Sequence, residues 1–253
     1  MAQSTPVNNR LYDALGTRWY EAQDDPVALL RAESRLKTPW VLQRIARHLG
    51  RGPARVLDVG CGGGFGSNAL AEAGHQVTGI DLSAESLRVA RHHDRTGSVD
   101  YREADAYALP FEPGCFDVVT CMDFLEHVEA PALVVAEAAR VLAPGGLFFF
   151  HTFNRNLLAG LVIIKGVEWF VANTPDHLHV LRLFITPDEL GGHCEAAGLQ
   201  PREWVGLRPH WRSRAFLRTL LTRRVAPDFR FVFTPSLRLS YLGFAVKPPT
   251  LEG

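Results

Sequence analysis

The sequence is short of the features that would place the protein outside the cytosol. Its four cysteines are scattered and form no Cys-x-x-Cys pair. This argues against a disulfide framework or a zinc ribbon and suits a reducing compartment. The N-terminal residues also lack the apolar core of a secretion signal. We therefore expect a cytoplasmic protein.

The sequence also has no excess of one charge and no long apolar run. Lys plus Arg and Asp plus Glu both number 27, and no module that reads nucleic acid occurs, so we expect no nucleic-acid partner. The most apolar stretch, Leu157 to Ala172, carries Lys165 and Glu168. It falls short of the ~20 apolar residues that a spanning helix needs. A chain of 253 residues is then expected to form one soluble domain.

What the sequence does have is a glycine-rich turn between two apolar segments. The turn follows Val56 to Val59 and has glycines at positions 60, 62, 63, 64 and 66. Glycines let the backbone turn tightly and let a ligand approach the main chain. Asp81 stands 21 positions after Gly60, where a βαβ unit places an acid against ribose hydroxyls. The pattern predicts a site for an adenosine-type cofactor.

Apolar segments alternate with amphipathic ones along the chain. This order predicts an α/β fold with a Rossmann-like, seven-stranded, mostly parallel sheet, helices on both faces and a ligand at the carboxyl ends of the strands. The helix before the first strand is expected at 36–49. The strands are expected near residues 55–59, 76–80, 99–103, 116–121, 147–153, 202–207 and 240–246.

A single domain, 1–253, is expected to contain four parts. Residues 1–50 form an N-terminal helical cap, and 51–153 form the cofactor-binding core. A helical insertion at 154–185 is expected to act as a lid. The rest of the fold, 186–253, contains a basic insertion at 208–238.

The spacing in the glycine turn distinguishes two classes of cofactor. A dinucleotide site requires Gly-x-Gly-x-x-Gly or Ala, but Phe65 stands at the last position here. A nicotinamide-dependent oxidoreductase is therefore the weaker alternative. Asp58, two residues before the first glycine, completes an Asp-x-Gly-x-Gly sequence. This resembles motif I of the class I S-adenosylmethionine-dependent methyltransferases.

Three further segments carry a more specific pattern: Asp117 to Val128 with its Leu-Glu-His sequence, Thr152 to Asn156, and Phe184 to Leu190. They resemble the ubiquinone-biosynthesis O-methyltransferases, which methylate polyprenylated catechols and demethylubiquinols. The resemblance covers roughly Trp19 to Val246. It implies cofactor contacts from Arg35 (or Arg31, near the carboxylate of the cofactor), Asp58, Gly60, Gly62, Gly64, Asp81, Leu82, Asp105, Ala106 and Met122. Asp105 would bind the adenine amino group or, alternatively, only cap a helix.

The same resemblance implies two alternatives for catalysis. In that family, a Glu-x-x-Glu-His sequence after strand four can hold a divalent metal. Here Asp123, Glu126 and His127 would bind Mg²⁺ or a softer metal, which would lower the pKa of a catechol hydroxyl. Otherwise His127 acts as a metal-free general base, because neutral imidazole is abundant near pH 7. His151, at the end of strand five, is a second candidate base or only shapes the pocket.

Two segments leave the relation to membranes open. The apolar run Leu157 to Phe170 is expected either to cover the active site or to rest in a lipid interface. Residues 208–238 hold eight arginines with aromatic and leucine residues between them, which suits contact with an anionic membrane or an ordinary solvated surface. The protein would then be cytoplasmic and peripheral to the inner face of the membrane. His177 and His179 lie in the same insertion and are expected in a solvated loop, with contact to the substrate as the alternative.

The sequence therefore predicts an S-adenosylmethionine-dependent O-methyltransferase that acts on a phenolic or catechol small molecule with a base or a metal assisting. A polyprenylated quinone precursor is the expected substrate, and the alternative is a natural-product phenol. A non-catalytic, cofactor-binding or membrane-associated protein is the remaining class.

Overall fold

The centre of the molecule is an eight-stranded sheet. The computed structural model describes residues 10–50, 52–174 and 178–249, except for the side chains of residues 10 and 11. The strand order is β3-β2-β1-β4-β5-β8-β6-β7. The strands are β1 Arg55–Val59, β2 Gln76–Asp81, β3 Asp100–Glu103, β4 Phe116–Met122, β5 Leu142–Phe153, β6 Gln200–Pro209, β7 Phe231–Thr234 and β8 Ser240–Val246. The first five run parallel, and β8 and β6 continue the sheet antiparallel. The Rossmann-like class is confirmed.

The predicted number of seven strands is wrong. The additional strand is β7, which pairs antiparallel with β6 from Gly206 opposite Thr234 to Pro209 opposite Phe231. It lies inside the stretch 208–238 that was expected to be a basic insertion. Its apolar run is only Phe231 to Phe233, which is too short to be distinguished from a loop by periodicity.

Helices cover both faces of the sheet. Pro131 begins its helix, Ser83 accepts from the backbone amide of Ser86, and Thr186 forms a capping box with Glu189, all as the residue types indicate. The helices are α1 Arg10–Ala14, α2 Arg18–Glu21, α3 Val27–Leu49, α4 Phe65–Glu72, α5 Ala84–His93, α6 Pro131–Val141, α7 Leu157–Ala159, α8 Gly166–Phe170, α9 Pro187–Ala196 and α10 Arg214–Thr222.

Helix α3 is longer than the sequence pattern predicted. It begins at Val27, whereas apolar periodicity predicted a start near Leu36. The additional turns bury Glu33, and Lys37 is buried just after them; their exposed fractions are 5% and 3%. Because charged residues occupy part of its buried face, this portion of the helix does not have the apolar stripe that periodicity detects.

The core has two halves, one on each face of the sheet. Successive side chains of β5 point to opposite faces, so Phe148 and Phe150 join one core cluster and Phe149 joins the other. All three phenylalanines are fully buried. Burial on both faces explains why these strands are continuously apolar in sequence.

The insertion after β5 is helical, as predicted. An α-helical turn, a π-helical stretch from Gly160 to Lys165 and α8 follow one another. Val167 and Val171 pack with Ala28 and Ala32 of α3 and with Phe229. Among the described residues, no helix combines the length and apolar character needed to cross a bilayer.

Candidate active site

The glycine-rich turn after β1 adopts a conformation that favours glycine. Gly60, Gly62 and Gly64 have φ values of 69°, 50° and 82°, which side chains rarely tolerate. A Cβ at Gly60 would lie 2.2 Å from the ring of Phe124, and one at Gly62 would lie 2.7 Å from the ring of Trp19. The backbone of this turn is therefore open to a ligand on one side and tightly packed on the other.

Asp58, at the end of β1, stabilises the turn through hydrogen bonds. Its carboxylate is buried and accepts hydrogen bonds from the hydroxyls of Ser67 and Thr120, both at 2.6 Å. Burial raises the pKa of this carboxyl group, against the two hydroxyl donors. The hydrogen bonds connect the start of α4 to β4, so Asp58 fixes the position of the turn.

Asp81 closes the other side of the same turn at the end of β2. One carboxylate oxygen accepts from the backbone amide of Gly62 and the other from that of Ser83, both at 2.9 Å. Burial raises the pKa of Asp81, although these amide donors oppose the shift. A carboxylate has about four lone-pair sites, so Asp81 is able to accept from a ligand as well.

These residues line a first cavity of about 360 Å³ at the carboxyl ends of β1, β2 and β4. We call it the cofactor cavity. Gly64 is not among its described lining residues and packs instead on Tyr101 and Ala90. Asp105 lines the cavity and accepts from the amide of Tyr107 at 2.9 Å. The predicted cofactor residues that line it are Asp58, Gly60, Gly62, Asp81, Leu82, Asp105, Ala106 and Met122.

Arg31 and Arg35 lie elsewhere. Arg35 donates to the backbone oxygen of Phe229 at 3.1 Å, and Arg31 donates to that of Trp19 at 2.6 Å. Neither is among the described residues that line the cofactor cavity. The two arginines are four residues apart and share one face of α3, whereas Lys37 belongs to the face that lines the cavity.

A second cavity of about 350 Å³ adjoins the first. We call it the acceptor cavity. Its walls are mainly apolar and come from the insertion after β5, from α3, and from α10 with its neighbouring strands. The side chains that line both cavities are Tyr12, Leu30, Asp123 and His127. The cavities therefore meet at the loop after β4, and two predicted site residues of that loop, Asp123 and His127, line both cavities.

His127 lies where the two cavities meet. Burial lowers the pKa of its imidazole to about 4, against the charge of Asp123, which raises it. The ring is therefore neutral at physiological pH. Its Nε2 lies 3.4 Å from the hydroxyl of Tyr12. A neutral imidazole at this place is able to accept a proton from a molecule bound in the acceptor cavity.

Sequence reasoning missed Tyr12, which lines the acceptor cavity and belongs to the N-terminal segment that gave no motif. For His179 a solvated loop was preferred over contact with the substrate, and that preference is wrong. His179 lines the acceptor cavity, 5.6 Å from His127 between ring centroids. Burial and then the neighbouring His127 lower the pKa of His179 to about 3. His177 lies outside the described residues.

His151 is enclosed behind the loop. Its side chain is fully buried and is not among the described residues that line either cavity. Nδ1 is hydrogen-bonded to Asp123 and lies 3.4 Å from the Nζ of Lys37. Any influence of His151 on a bound molecule must pass through its neighbours, such as Asp123 and Lys37.

Comparison with known proteins connects this geometry to a family. Residues 57–150 match the methyltransferase domain family. The chain is 42% identical over 209 residues to the ubiquinone biosynthesis O-methyltransferase of Ralstonia nicotianae, covering 81% of this chain and 86% of the relative. It is 39% identical over 241 residues to the enzyme of the same name from Xanthomonas campestris pv. campestris strain B100, covering 94% and 92%.

The chain belongs to the ubiquinone biosynthesis O-methyltransferase family. Membership makes it an S-adenosylmethionine-dependent O-methyltransferase and confirms the predicted enzyme class and cofactor. The nicotinamide-dependent and non-catalytic alternatives do not agree with this relationship.

Solved structures confirm the fold. Magnesium protoporphyrin IX methyltransferase from Synechocystis PCC 6803, with bound SAH, superposes with a TM-score of 0.63 at 18% identity, covering 95% of each chain. The [4+2]-cyclase SpnF superposes with a TM-score of 0.57 at 20% identity, covering 96% of this chain and 98% of that one. Because a cyclase shares the architecture, the fold alone does not specify methyl transfer, and the sequence relatives carry that conclusion.

The metal ligands implied by the family resemblance do not fit this structure. Asp123 forms an ion pair with Lys37 and a hydrogen bond with His151. Glu126 accepts from the hydroxyl of Thr152 at 2.8 Å. Among the described residues, the ligand atoms close enough to share a metal belong to Glu33, Asp123 and His151. Asp123, Glu126 and His127 are thus not gathered around one point.

Proposed function

We propose that the protein transfers the methyl group of S-adenosylmethionine to a hydroxyl of a polyprenylated catechol, a precursor of a quinone. The observation that carries this proposal is the junction of the two cavities. The cofactor cavity holds the residues of motif I, the acceptor cavity is apolar, and Asp123 and His127 line both. The ubiquinone biosynthesis relatives support the same acceptor class.

The residues of the cofactor cavity would bind S-adenosylmethionine by its two ends. Asp81 would accept from the ribose hydroxyls, and Asp105 would accept from the adenine amino group. The backbone of the turn at Gly60 and Gly62 would contact the methionine portion. The bound cofactor supplies an activated methyl group, so the protein has to hold the acceptor oxygen in line with it.

His127 would take the proton of the attacking hydroxyl. Its imidazole is neutral at physiological pH and lies at the junction of the cavities. Glu126 would bind the second catechol oxygen. Burial and the charge of Asp123 raise the pKa of Glu126 to about 8, so the protonated form is able to donate a hydrogen bond. Among the described residues, its Oε1 has no hydrogen-bond partner.

The apolar walls of the acceptor cavity would hold the polyprenyl tail. These walls include Val162, Ile163 and Val167 of the insertion and Phe216 and Leu220 of α10. Burial of apolar groups contributes about 0.8 kcal/mol for each CH₂ removed from water, so a tail should raise affinity. A natural-product phenol without a tail would not gain from these walls.

The outer surface beside the acceptor cavity would contact an anionic membrane. Leu217 and Leu221 of α10 are 55% and 86% exposed and lie one turn apart. Leu157 and Trp169 of the insertion are 87% and 56% exposed. Exposed apolar residues next to the arginines of 208–238 are typical of a peripheral membrane contact. A lipid substrate would then reach the cavity from the bilayer.

The test is methyl transfer from labelled S-adenosylmethionine to a catechol with a short prenyl tail and to the same catechol without it. We expect both to be methylated, with a lower KM for the prenylated compound. Equal KM values would contradict the role of the tail and favour a tail-free phenol. Tight cofactor binding without transfer to either compound would contradict the catechol proposal.

A further inference from the structure

A lysine lies among the residues that could otherwise share a metal. The Nζ of Lys37 is 3.1 Å from a carboxylate oxygen of Glu33 and 3.4 Å from Nδ1 of His151, and it forms an ion pair with Asp123. The ligand atoms of Glu33, Asp123 and His151 all lie within 4.8 Å of one another. The ammonium therefore contacts each group that a cation in this cluster would need.

The cluster is buried, which makes its charge balance important. The Lys37 and Glu33 side chains are only 4% and 7% exposed. Burial disfavours the ammonium, but the carboxylates of Asp123 and Glu33 outweigh it and raise the pKa of Lys37. Burial also disfavours the charged form of Asp123, but Lys37 and His151 outweigh it and hold the pKa of Asp123 far below its usual value. Lys37 and Asp123 therefore both favour their charged forms.

The backbone holds Asp123 in this place. Its φ of 55° lies in the left-handed region, which is uncommon for a residue with a side chain. Its amide donates to the backbone oxygen of His151 at 3.1 Å. Lys37 and Asp123 both line the cofactor cavity, while Glu33 and Asp123 line the acceptor cavity. Such strain occurs where surrounding contacts determine a side chain's position, often at functional sites.

We propose that the ammonium of Lys37 is the resident cation of this cluster, and that it makes the enzyme independent of divalent metal. Lys37 occupies the space between Glu33, Asp123 and His151 that a metal ion would take. It acts as a positioning residue, because it orients the Asp123 side chain at the junction of the two cavities. For its activity readout this inference depends on the proposed O-methyl transfer, whereas its metal-binding readout does not.

The first test uses the unmodified protein. Mn²⁺ is added to the protein with S-adenosylhomocysteine bound, and free Mn²⁺ is followed by electron paramagnetic resonance. We expect no stoichiometric Mn²⁺ binding, and we expect methyl transfer to continue at an unchanged rate in a chelator. Stoichiometric binding of Mn²⁺ or loss of transfer in the chelator would overturn the proposal.

The second test removes the ammonium with Lys37→Ala. This leaves buried carboxylates without their cation, which is costly, and opens space among three ligands that suit a divalent ion. We expect the variant to gain stoichiometric Mn²⁺ binding, to lose transfer in a chelator and to recover it with Mn²⁺. Mn²⁺ should also raise its melting temperature. The control Arg88→Ala removes an exposed cation and should gain none of these properties.

A double variant distinguishes this cluster from other sites. Adding Glu33→Gln to Lys37→Ala removes one carboxylate, so the gained Mn²⁺ affinity should fall. A Lys37→Ala variant that folds but binds no Mn²⁺ would contradict the exclusion of metal by the ammonium. If no catechol is methylated under any condition, the proposed function fails, and the Mn²⁺ measurements still decide between lysine and metal.

Discussion

The two cavities of this enzyme differ in how their residues are distributed along the chain. Most predicted cofactor residues come from three strand ends between Asp58 and Met122. The acceptor cavity takes its walls from distant segments, from Tyr12 at one end to Ser240 at the other. The comparison shows that a cofactor site built on successive βαβ units has regular spacings in sequence, whereas an acceptor site exists only after the chain has folded.

The chemistry of the walls differs in the same way. The cofactor cavity uses glycines with positive φ and carboxylates that accept from backbone amides. Such residue types at such spacings are typical of a turn that binds a nucleotide-like cofactor. The acceptor cavity is built from valines, leucines and aromatic residues, which in sequence resemble any part of a hydrophobic core.

The largest expected effect separates chemistry from cofactor binding. Replacing His127 by Asn removes the proposed base, so kcat should fall by about 10²–10⁴-fold, while affinity for S-adenosylhomocysteine stays unchanged. Single-turnover transfer and calorimetry measure the two quantities. His92→Asn, on the exposed surface of α5, is the control. A parallel loss of cofactor affinity would assign His127 to the cofactor cavity instead.

For Asp81 we expect the opposite result, a loss of cofactor affinity with little change in rate. Its replacement by Ala removes a charged acceptor of ribose hydrogen bonds, so the Kd for S-adenosylhomocysteine should rise roughly 10- to 100-fold. The rate at saturating cofactor should change much less. Asp100→Ala, which removes an exposed carboxylate from β3, controls for loss of charge. An unchanged Kd in a correctly folded Asp81→Ala variant would break the assignment of this cavity to the cofactor.

A smaller effect concerns the electrostatics of the acceptor cavity. Glu126 has its pKa raised to about 8 in the folded protein, against about 4.5 in the unfolded chain. Between these values the native carboxyl stays protonated while the unfolded one ionises. The unfolded state then binds fewer protons, and stability falls as pH rises.

The variant Glu126→Gln lacks this titration. Its free energy of unfolding relative to the unmodified protein should therefore increase from pH 4.5 to pH 8 and stay constant above. Urea denaturation at several pH values measures the difference. A difference that does not vary with pH would show that Glu126 is ionised in the folded protein, which contradicts its role as a hydrogen-bond donor to the acceptor.

The smallest effect is expected on the outer surface of the acceptor half. Replacing Leu217 by Asp should weaken binding to vesicles that contain anionic lipid, because it removes an exposed apolar contact and adds repulsion. Transfer to a short-tailed catechol in solution should hardly change. The control Ser98→Asp adds the same charge on an exposed loop that is far from Leu217 in sequence. Equal vesicle binding by both variants would argue against membrane contact at α10.

Sequence reasoning reached the sheet and its glycine turn because their signals are local. It missed the first turns of α3, where the charged residue Glu33 lies on the buried face, next to the buried Lys37. Their ion pairs with residues far along the chain become visible only in the folded structure. The family resemblance implied that Arg35 lies near the cofactor, but in the structure its guanidinium donates to the backbone oxygen of Phe229.

The acceptor residues show the same limit of local patterns. His179 resembled a solvated histidine because its neighbours in sequence form a loop, and its burial comes from Phe153 and Phe184. Strand β7 was missed because its pairing with β6 requires a partner more than twenty residues away. These features depend on tertiary contacts, which a single sequence does not display.

A structure of the enzyme with S-adenosylhomocysteine and a short-tailed prenyl catechol tests most directly that the two cavities meet at the reacting atoms. We expect the ribose hydroxyls on Asp81, one catechol oxygen facing both the cofactor sulfur and His127, and the tail between the insertion and α10. A catechol ring bound away from His127, or a tail outside the acceptor cavity, would contradict the proposed arrangement.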